Sequence, residues 1–196
     1  MVRSRIYKMV LLGEGGVGKT ALRHRYLGQG FKQNYQMTIG ADFAAKKDTV
    51  DGMDVTAQIW DLAGQTRYSS VRQGYYRGSV GALLVYDIVR RATFEAIPNW
   101  LNELISNNNE TMVPVVLIGN KGDLRGMDPD EVTREEGESY AQVLSDWCGF
   151  DVPYVESSAL TGELVDEAFQ SLIRNVNTYL DQVRAEYMKN KNSQNQ

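Results

Sequence analysis

The sequence predicts an α/β domain with a six-stranded, mostly parallel sheet, one antiparallel edge strand and about five flanking helices. Short apolar segments alternate with longer amphipathic segments, which is typical of parallel strands joined by crossover helices. Segments 81–88 and 113–119 are almost continuously apolar, as expected for strands covered on both faces. Between two other candidate strands, Asp51-Gly52 indicates a tight hairpin and therefore the antiparallel edge.

Each element follows from this alternation. Strands are predicted at 6–13, 43–50, 55–61, 81–88, 113–120 and 152–157. Helices are predicted at 19–27, 93–107, 133–147 and 164–187, with Pro98 in or near a first turn. The last helix carries one apolar stripe for the core, formed by Val165, Ala168, Phe169, Leu172, Ile173, Val176 and Leu180. Residues 1–187 are thus expected to form one domain, and the polar segment 188–196 a disordered tail.

Composition excludes several classes of protein. A chain of 196 residues fits one domain, and its net charge of -4 argues against a nucleic-acid partner, which would need a basic face. The single cysteine, Cys148, is interpreted as a small buried hydrophobe rather than a reactive thiol. No apolar run approaches the ~20 residues that span a bilayer. Because no signal peptide follows the basic start, we expect a cytoplasmic protein.

A phosphate-binding motif follows the first strand. Residues 13–20 read GEGGVGKT, which matches GxxxxGK[ST] between a strand and a helix. The backbone N–H groups of such a loop surround phosphate, while Lys19 would bridge phosphate oxygens and the Thr20 hydroxyl would bind Mg²⁺. The alternative is a plain glycine-rich turn. The residues expected at the phosphates are Gly13, Gly15, Gly16, Val17, Gly18, Lys19, Thr20 and Ala21.

A second motif distinguishes guanine from adenine. Asn120-Lys121-Gly122-Asp123 follows the apolar strand 113–119, at the strand end where α/β sheets bind ligands. The Asp123 carboxylate can accept the N1–H and N2–H₂ donors of guanine, a pair that adenine lacks. Asn120 would tie this loop to the phosphate loop, and the stem of Lys121 would cover one face of the base. Together the two motifs predict GTP or GDP as the bound nucleotide.

A third motif supplies candidate catalytic residues. Asp61-Leu62-Ala63-Gly64-Gln65 ends the third strand, so Asp61 would hold water on Mg²⁺ and the Gly64 N–H would sense the γ-phosphate. Gln65 would orient the attacking water. Upstream, Thr38 is the natural second hydroxyl ligand of the metal, which makes Thr20, Thr38 and Asp61 the predicted metal residues. The predicted catalytic residues are Gln65, Lys19, Thr38 and Gly64.

Two aromatic residues on the loop before Thr38 complete the predicted site. Tyr35 would close over the phosphates, and Phe31 would cover an edge of the base. The alternative for both residues is ordinary anchoring of a surface loop.

In this order and spacing, the motifs resemble the Ras superfamily over about residues 5–185, most closely its Rab branch. Further segments that resemble Rab proteins are Ile39 to Phe43, Gln58 to Trp60, Arg67-Tyr68, Tyr75 to Ser79 and Leu84 to Ile88. The resemblance implies a P-loop NTPase fold (a G domain over 1–187) and a switch that binds GTP or GDP with Mg²⁺ and hydrolyses GTP slowly. It also implies effectors that bind 31–43, Trp60 and 61–77, together with activating and exchange factors.

The resemblance adds two groups of residues. Residues 156–160 resemble the third guanine-contacting loop, with Ser158, the Ala159 backbone N–H directed at guanine O6, and Leu160 where lysine is usual. Phe43, Trp60 and Tyr75 match the aromatic triad through which Rab proteins signal nucleotide state; a partly buried core cluster is the alternative, and both can hold.

Departures from the family pattern leave alternatives open. The chain has no C-terminal cysteine pair and no polybasic run, so it is not expected to bind membranes stably as written. Recruitment would need a missing tail or a partner. A non-hydrolysing GTP-binding scaffold is one alternative. The other is an unlipidated, Ran-like transport GTPase, a branch that shares a segment like Pro98–Trp100.

Overall fold

The computed structural model describes residues 5–31, 38–65 and 68–193. Six strands form one sheet in the order β2-β3-β1-β4-β5-β6, and each neighbouring pair is parallel except β2–β3. The strands are β1 (Arg5–Leu12), β2 (Ala41–Val50), β3 (Met53–Leu62), β4 (Gly81–Asp87), β5 (Val115–Asn120) and β6 (Tyr154–Ser157). The predicted fold class is therefore confirmed.

Helices cover both faces of the sheet. They are α1 (Lys19–Tyr26), α2 (Ser69–Tyr76), α3 (Arg91–Glu95), α4 (Ile97–Asn107), α5 (Arg134–Cys148) and α6 (Val165–Ser193), with a 3₁₀ turn at Gly122–Leu124. The predicted helix 93–107 is divided at Ala96, and Pro98 lies in the first turn of α4 as expected.

Alternation along the strands produces a core on each face of the sheet. In β1, Met9 and Leu11 pack toward α1 and α6, whereas Val10 and Leu12 pack toward α4 and α5. All residues of β4 and β5 are buried, which confirms that these strands are covered on both faces. The predicted apolar stripe of α6 lies in the first core, with Leu180 partly buried at its edge.

The antiparallel edge is fixed by its turn. Asp51 and Gly52 have φ values of 50° and 77°, and Val50 pairs directly with Met53. Positive φ at both turn residues matches the right-handed twist of the flanking strands, which is why Asp-Gly predicted this hairpin.

Two strands begin later than predicted. β5 begins at Val115 and β6 at Tyr154, directly after Pro114 and Pro153. Proline has no N–H to donate to a ladder, although the carbonyls of Pro114 and Pro153 still accept from Ala82 and Leu117. The prolines thus mark the true strand starts.

Two helical segments differ from the sequence prediction. α2 was absent from the predicted helices, because its buried residues are Arg72 and Tyr76 and no apolar stripe marks them. α6 continues to Ser193, past the expected boundary at 187, because 188–193 contains no glycine or proline to end it. The segment 188–193, expected to be disordered, is therefore helical where the structure describes it.

Candidate functional site

The phosphate loop connects β1 to α1 and is closely approached by two other segments. Gly18 has a φ of 102°, and a Cβ there would lie 2.2 Å from Asn120 Nδ2. A Cβ on Gly64 would lie 2.5 Å from the backbone of Glu14 and Gly15. Glycine is therefore required at both positions, because any side chain would separate the loop from the strand ends that face it.

Lys19, the first residue of α1, buries its side chain against this loop. It is 6% exposed, and its Nζ donates to the carbonyl oxygens of Gly13 at 2.6 Å and Glu14 at 3.0 Å. Burial lowers the pKa of Lys19 to about 8, although the carboxylates of Asp61 and Glu14 oppose that shift. A phosphate anion beside Lys19 would offset this cost of burying the charge.

Three oxygen-bearing side chains converge next to Lys19. The Thr20 hydroxyl lies 3.0 Å from the Thr38 hydroxyl and donates to Asp61 Oδ2 at 2.5 Å, while Thr38 Oγ1 lies 3.3 Å from the same oxygen. Burial raises the pKa of the Asp61 carboxyl, opposed by the Thr20 hydrogen bond and the Lys19 charge.

This oxygen cluster fits a magnesium ion. Asp61 Oδ1 is buried and has no hydrogen-bond partner among the residues that the structure describes. Hydroxyl and carboxylate oxygens are the ligands that a hard divalent cation prefers. Since a small site for Mg²⁺ leaves several positions to water and phosphate, one carboxylate and two hydroxyls are a sufficient protein contribution. Thr20, Thr38 and Asp61 could thus hold the ion.

Gln65 lies beside the phosphate loop. Its Cγ is 3.5 Å from the point that a Cβ on Gly15 would occupy, and both residues line the same pocket. The residues around this pocket are Gly15, Gly16, Gly18, Lys19, Thr20, Ala21, Thr38, Gly64 and Gln65. The pocket thus contains all four predicted catalytic residues and most of the predicted phosphate residues. Two of the predicted metal residues, Thr20 and Thr38, line it, and the third, Asp61, accepts from Thr20 behind it.

Sequence reasoning missed Arg72, which holds the backbone around Gly64. Its Nη1 donates to the carbonyls of Ala63 and Gln65, both at 2.8 Å. Its Nε and Nη2 make a bidentate pair with Glu103 of α4, also at 2.8 Å. The Arg72 side chain is only 3% exposed, so a largely buried ion pair fixes the loop that carries Gly64 and Gln65 to the helix layer.

Residues 120–123, predicted to recognise the base, are called the base-reading loop below. Asn120 connects this loop to the phosphate loop, as predicted. Its Nδ2 donates to the Val17 carbonyl at 2.7 Å. Its Oδ1 accepts from the Ala159 N–H at 3.1 Å. The Ala159 donor predicted for guanine O6 is thus directed at Asn120 here, at the point where the three loops meet.

Asp123 is held by the third loop. The Ser158 hydroxyl donates to Asp123 Oδ1 and accepts from the Thr161 N–H at 3.1 Å. Ser158 therefore orients the carboxylate and would contact the base through it. A second residue that the sequence did not indicate, Arg25 of α1, donates to the carbonyls of Ala159 and Leu160.

Two residues predicted to lie beside the base, Phe31 at its edge and Leu160 next to it, are open to solvent. Phe31 is 40% exposed and Leu160 is 49% exposed. Tyr35 lies outside the described residues, so its predicted position over the phosphates stays a prediction.

The aromatic triad forms one cluster. Ring centroids lie 4.9 Å apart for Phe43 and Trp60, and 5.3 Å apart for Trp60 and Tyr75. Phe43 is exposed, whereas Trp60 and Tyr75 pack against the core beneath them. The cluster can therefore contribute to the core and still present an aromatic surface.

The fold and site define a nucleotide-binding α/β domain of the P-loop class. The Ras family profile matches residues 8–178. The chain is 44% identical to Ras-related protein RABA1b of Arabidopsis thaliana over 87% of this chain and 75% of that protein. It is also 44% identical to Ras-related protein Rab11D of Lotus japonicus, over 87% of this chain and 74% of that protein. The chain is 42% identical to probable Ras-related protein Rab-4A of Echinococcus multilocularis, over 86% of this chain and 72% of that protein.

The chain belongs to the Ras family of small GTPases, and its relatives are Rab-related proteins. Proteins of this family bind GTP and GDP, generally with Mg²⁺, and hydrolyse GTP. Within the described ranges, no helix combines the length and apolar character needed to cross a membrane.

Proposed function

We propose that this chain is a Rab-like switch that binds GTP or GDP with Mg²⁺, hydrolyses GTP slowly and regulates membrane trafficking through effectors. The observation that carries the proposal is the junction at Asn120, which joins the Val17 carbonyl of the phosphate loop to the Ala159 N–H of the third loop. Since Asp123 lies on the same loop as Asn120, one junction places phosphate and base recognition at a fixed separation.

Base selection is assigned to Asp123. Ser158 donates to one of its oxygens, which leaves the carboxylate oriented and able to accept the two adjacent donors of guanine. Adenine offers no such pair, so its binding would desolvate the carboxylate without compensation.

Phosphate binding is assigned to Lys19 and to the backbone at the start of α1. Lys19 Nζ donates to two loop carbonyls at 2.6 and 3.0 Å, which directs its charge into the phosphate loop. The helix dipole adds positive potential at the same point. A bound magnesium ion would neutralise phosphate charge, with Thr20, Thr38 and Asp61 as the residues that hold it directly or through water.

Hydrolysis is assigned to positioning of water by Gln65. Arg72 fixes the carbonyl of Gln65, and the Gln65 side chain extends along Gly15 on the rim of the pocket. The Gln65 amide oxygen can accept a hydrogen bond from the attacking water, and the amide N–H can donate one to it. These two bonds would orient the water without a covalent intermediate. Catalysis would combine this positioning with charge neutralisation by Lys19, the metal ion and backbone N–H groups, and we expect an unaided rate that is slow and open to acceleration by a partner.

Switching follows from residues shared between the nucleotide site and the surface. Thr38 precedes β2 and Gly64 follows β3, so both positions connect the phosphates to the aromatic cluster of Phe43, Trp60 and Tyr75. Loss of the γ-phosphate would release these contacts and change the surface that effectors bind. The Rab-related relatives support trafficking as the process and favour the Rab branch over the Ran-like alternative.

Nucleotide binding and turnover test the proposal together. Purified protein is denatured, and released nucleotide is identified by chromatography; we expect GDP or GTP and no adenine nucleotide. After exchange, [γ-³²P]GTP-loaded protein should release phosphate slowly with Mg²⁺ and more slowly when the ion is chelated. Tight GTP binding with no phosphate release would favour the non-hydrolysing scaffold, and preference for ATP would overturn the proposal.

A further inference from the structure

A buried carboxylate at the end of β4 lies between the two loops that would grip the nucleotide. The Asp87 side chain is 1% exposed, and its Oδ2 accepts from Lys121 Nζ at 2.6 Å and from Arg90 Nε at 2.9 Å. Its Oδ1 accepts from the Val89 N–H at 3.2 Å. Asp87 therefore binds a cation from the base-reading loop and a second cation from the segment after β4.

The second cation extends to the phosphate loop. Arg90 Nη2 donates to the Gly15 carbonyl at 3.0 Å. In a trans peptide the carbonyl and the following N–H point in opposite directions, so this bond turns the Gly16 N–H away from Arg90. Both glycines line the phosphate pocket, which makes the orientation of that peptide relevant to phosphate binding.

We propose that Asp87 and Arg90 form a bracket that holds the phosphate loop against the base-reading loop, so that Arg90 is a positioning residue that slows nucleotide release. The inference rests on the guanine-nucleotide binding proposed above. Arg90 lies in neither nucleotide-binding motif.

The bracket is built on a rigid corner. The Arg90 N–H donates to the Asp87 carbonyl at 3.0 Å, and the Thr93 hydroxyl donates to the Arg90 carbonyl at 2.7 Å. The same hydroxyl accepts from the Asp87 N–H at 2.9 Å. With its backbone fixed at this turn, the Arg90 side chain loses less freedom when it spans from Asp87 to Gly15.

Charge balance gives the bracket its strength. A carboxylate as buried as Asp87 needs a paired cation, and here Lys121 and Arg90 both donate to its Oδ2. Only part of Arg90 is exposed, and its planar guanidinium can serve two acceptors at once. A lysine ammonium has no such fork and would reach one acceptor or the other.

Arg91 provides a matched control next in sequence. Its guanidinium turns away from the nucleotide site and pairs with Glu136 of α5 at 2.8 and 3.1 Å. Removal of Arg91 should therefore disturb the same corner and the same net charge without touching the phosphate loop.

Release of a fluorescent GDP analogue, chased with excess GDP, tests the bracket in the full chain. We expect Arg90→Ala and Arg90→Lys to release it about threefold to tenfold faster than wild type, the range for a partly exposed ionic contact. Arg91→Ala should release it at the wild-type rate. In a protein that already carries Asp87→Asn, Arg90→Ala should accelerate release by a smaller factor than it does in the wild-type protein.

The outcomes separate the bracket from nucleotide binding itself. A wild-type chain that retains no GDP would contradict the proposed function. A wild-type chain that retains GDP while Arg90→Ala releases it unchanged would overturn the bracket alone. If Arg90→Ala and Arg91→Ala accelerate nucleotide release equally, both effects come from lost stability of the corner, and the bracket is overturned. If Arg90→Lys releases nucleotide at the wild-type rate, only the charge of Arg90 matters, and the bracket is likewise overturned.

Discussion

Asn120 donates a 2.7 Å hydrogen bond to the carbonyl of Val17, a residue 103 positions earlier in the chain. The bond joins the loop after β5 to the phosphate loop after β1, two strands separated in the sheet only by β4. Asp123 lies just beyond Asn120, and Lys19 directly follows the phosphate loop. The separation between these two residues, to which we assign base and phosphate recognition, is therefore set by the sheet rather than by the loops alone.

Asp123→Asn should change the base preference from guanine to xanthine. The extra carbonyl of xanthine needs a donor, which a carboxamide supplies and a carboxylate does not. Competition binding with GDP and XDP measures the change, with Asp128→Asn, at a half-buried position between the 3₁₀ turn and α5, as control. Continued preference for guanine would remove Asp123 from the base-reading role.

Thr20→Asn should weaken GTP binding more than GDP binding. The Thr20 hydroxyl lies in the oxygen cluster with Thr38 and Asp61, and the γ-phosphate complex depends most on the ion that this cluster would hold. Titration with both nucleotides at several Mg²⁺ concentrations checks the result. The matched control is Thr178→Asn, at an exposed position on α6. Equal losses for GTP and GDP would contradict the assignment of Thr20 to the metal.

Arg72→Lys should slow intrinsic GTP hydrolysis by about threefold to tenfold and leave GDP affinity almost unchanged. Lysine keeps the charge but cannot bind Glu103 and the carbonyls of Ala63 and Gln65 at the same time. The backbone at Gln65 is then held less firmly, and its side chain orients water less well. Single-turnover phosphate release measures the rate. Arg134→Lys, exposed at the start of α5, should have no effect. An unchanged rate in Arg72→Lys would mean that the buried pair serves folding only.

Cys148 should react slowly with iodoacetamide in the native protein. Partial burial raises the pKa of its thiol to about 11, which favours the neutral form over the reactive thiolate. At pH 8 the thiolate fraction is then about a hundredfold below that of an ordinary cysteine, and labelling should rise with each pH step toward 11. Mass spectrometry follows the labelling, with urea-unfolded protein as reference. Equal rates in native and unfolded protein would show that this partial burial does not protect the thiol.

Local chemistry allowed most of the fold to be predicted. The two-residue turn requires positive φ, which Asp51-Gly52 adopts. Glycine is required at position 18, where Asn120 approaches the phosphate loop, and at position 64, which lies against the loop backbone at Glu14. These requirements are visible in sequence because one residue type satisfies them.

Other features depend on contacts between distant segments. The buried face of α2 contains Arg72, a charged residue that pairs with Glu103 on another helix. No apolar pattern in the sequence therefore marks α2 as a helix. Asp87 and Arg90 have the same character, since their partners Lys121 and Gly15 come from separate loops. Such pairs become apparent only when the sheet brings the strand ends together.

Gln65→Leu provides the most direct test of a hydrolysing switch. Leucine has similar bulk but cannot orient water, and Gln65 is assigned neither to base recognition nor to the metal. We expect near-normal GDP affinity and at least about tenfold slower single-turnover phosphate release, a loss of ~1.4 kcal/mol in transition-state stabilisation. Gln182→Leu, exposed on α6, should match wild type in both measurements. An unchanged rate in Gln65→Leu with intact GTP binding would contradict the assignment of hydrolysis to this residue.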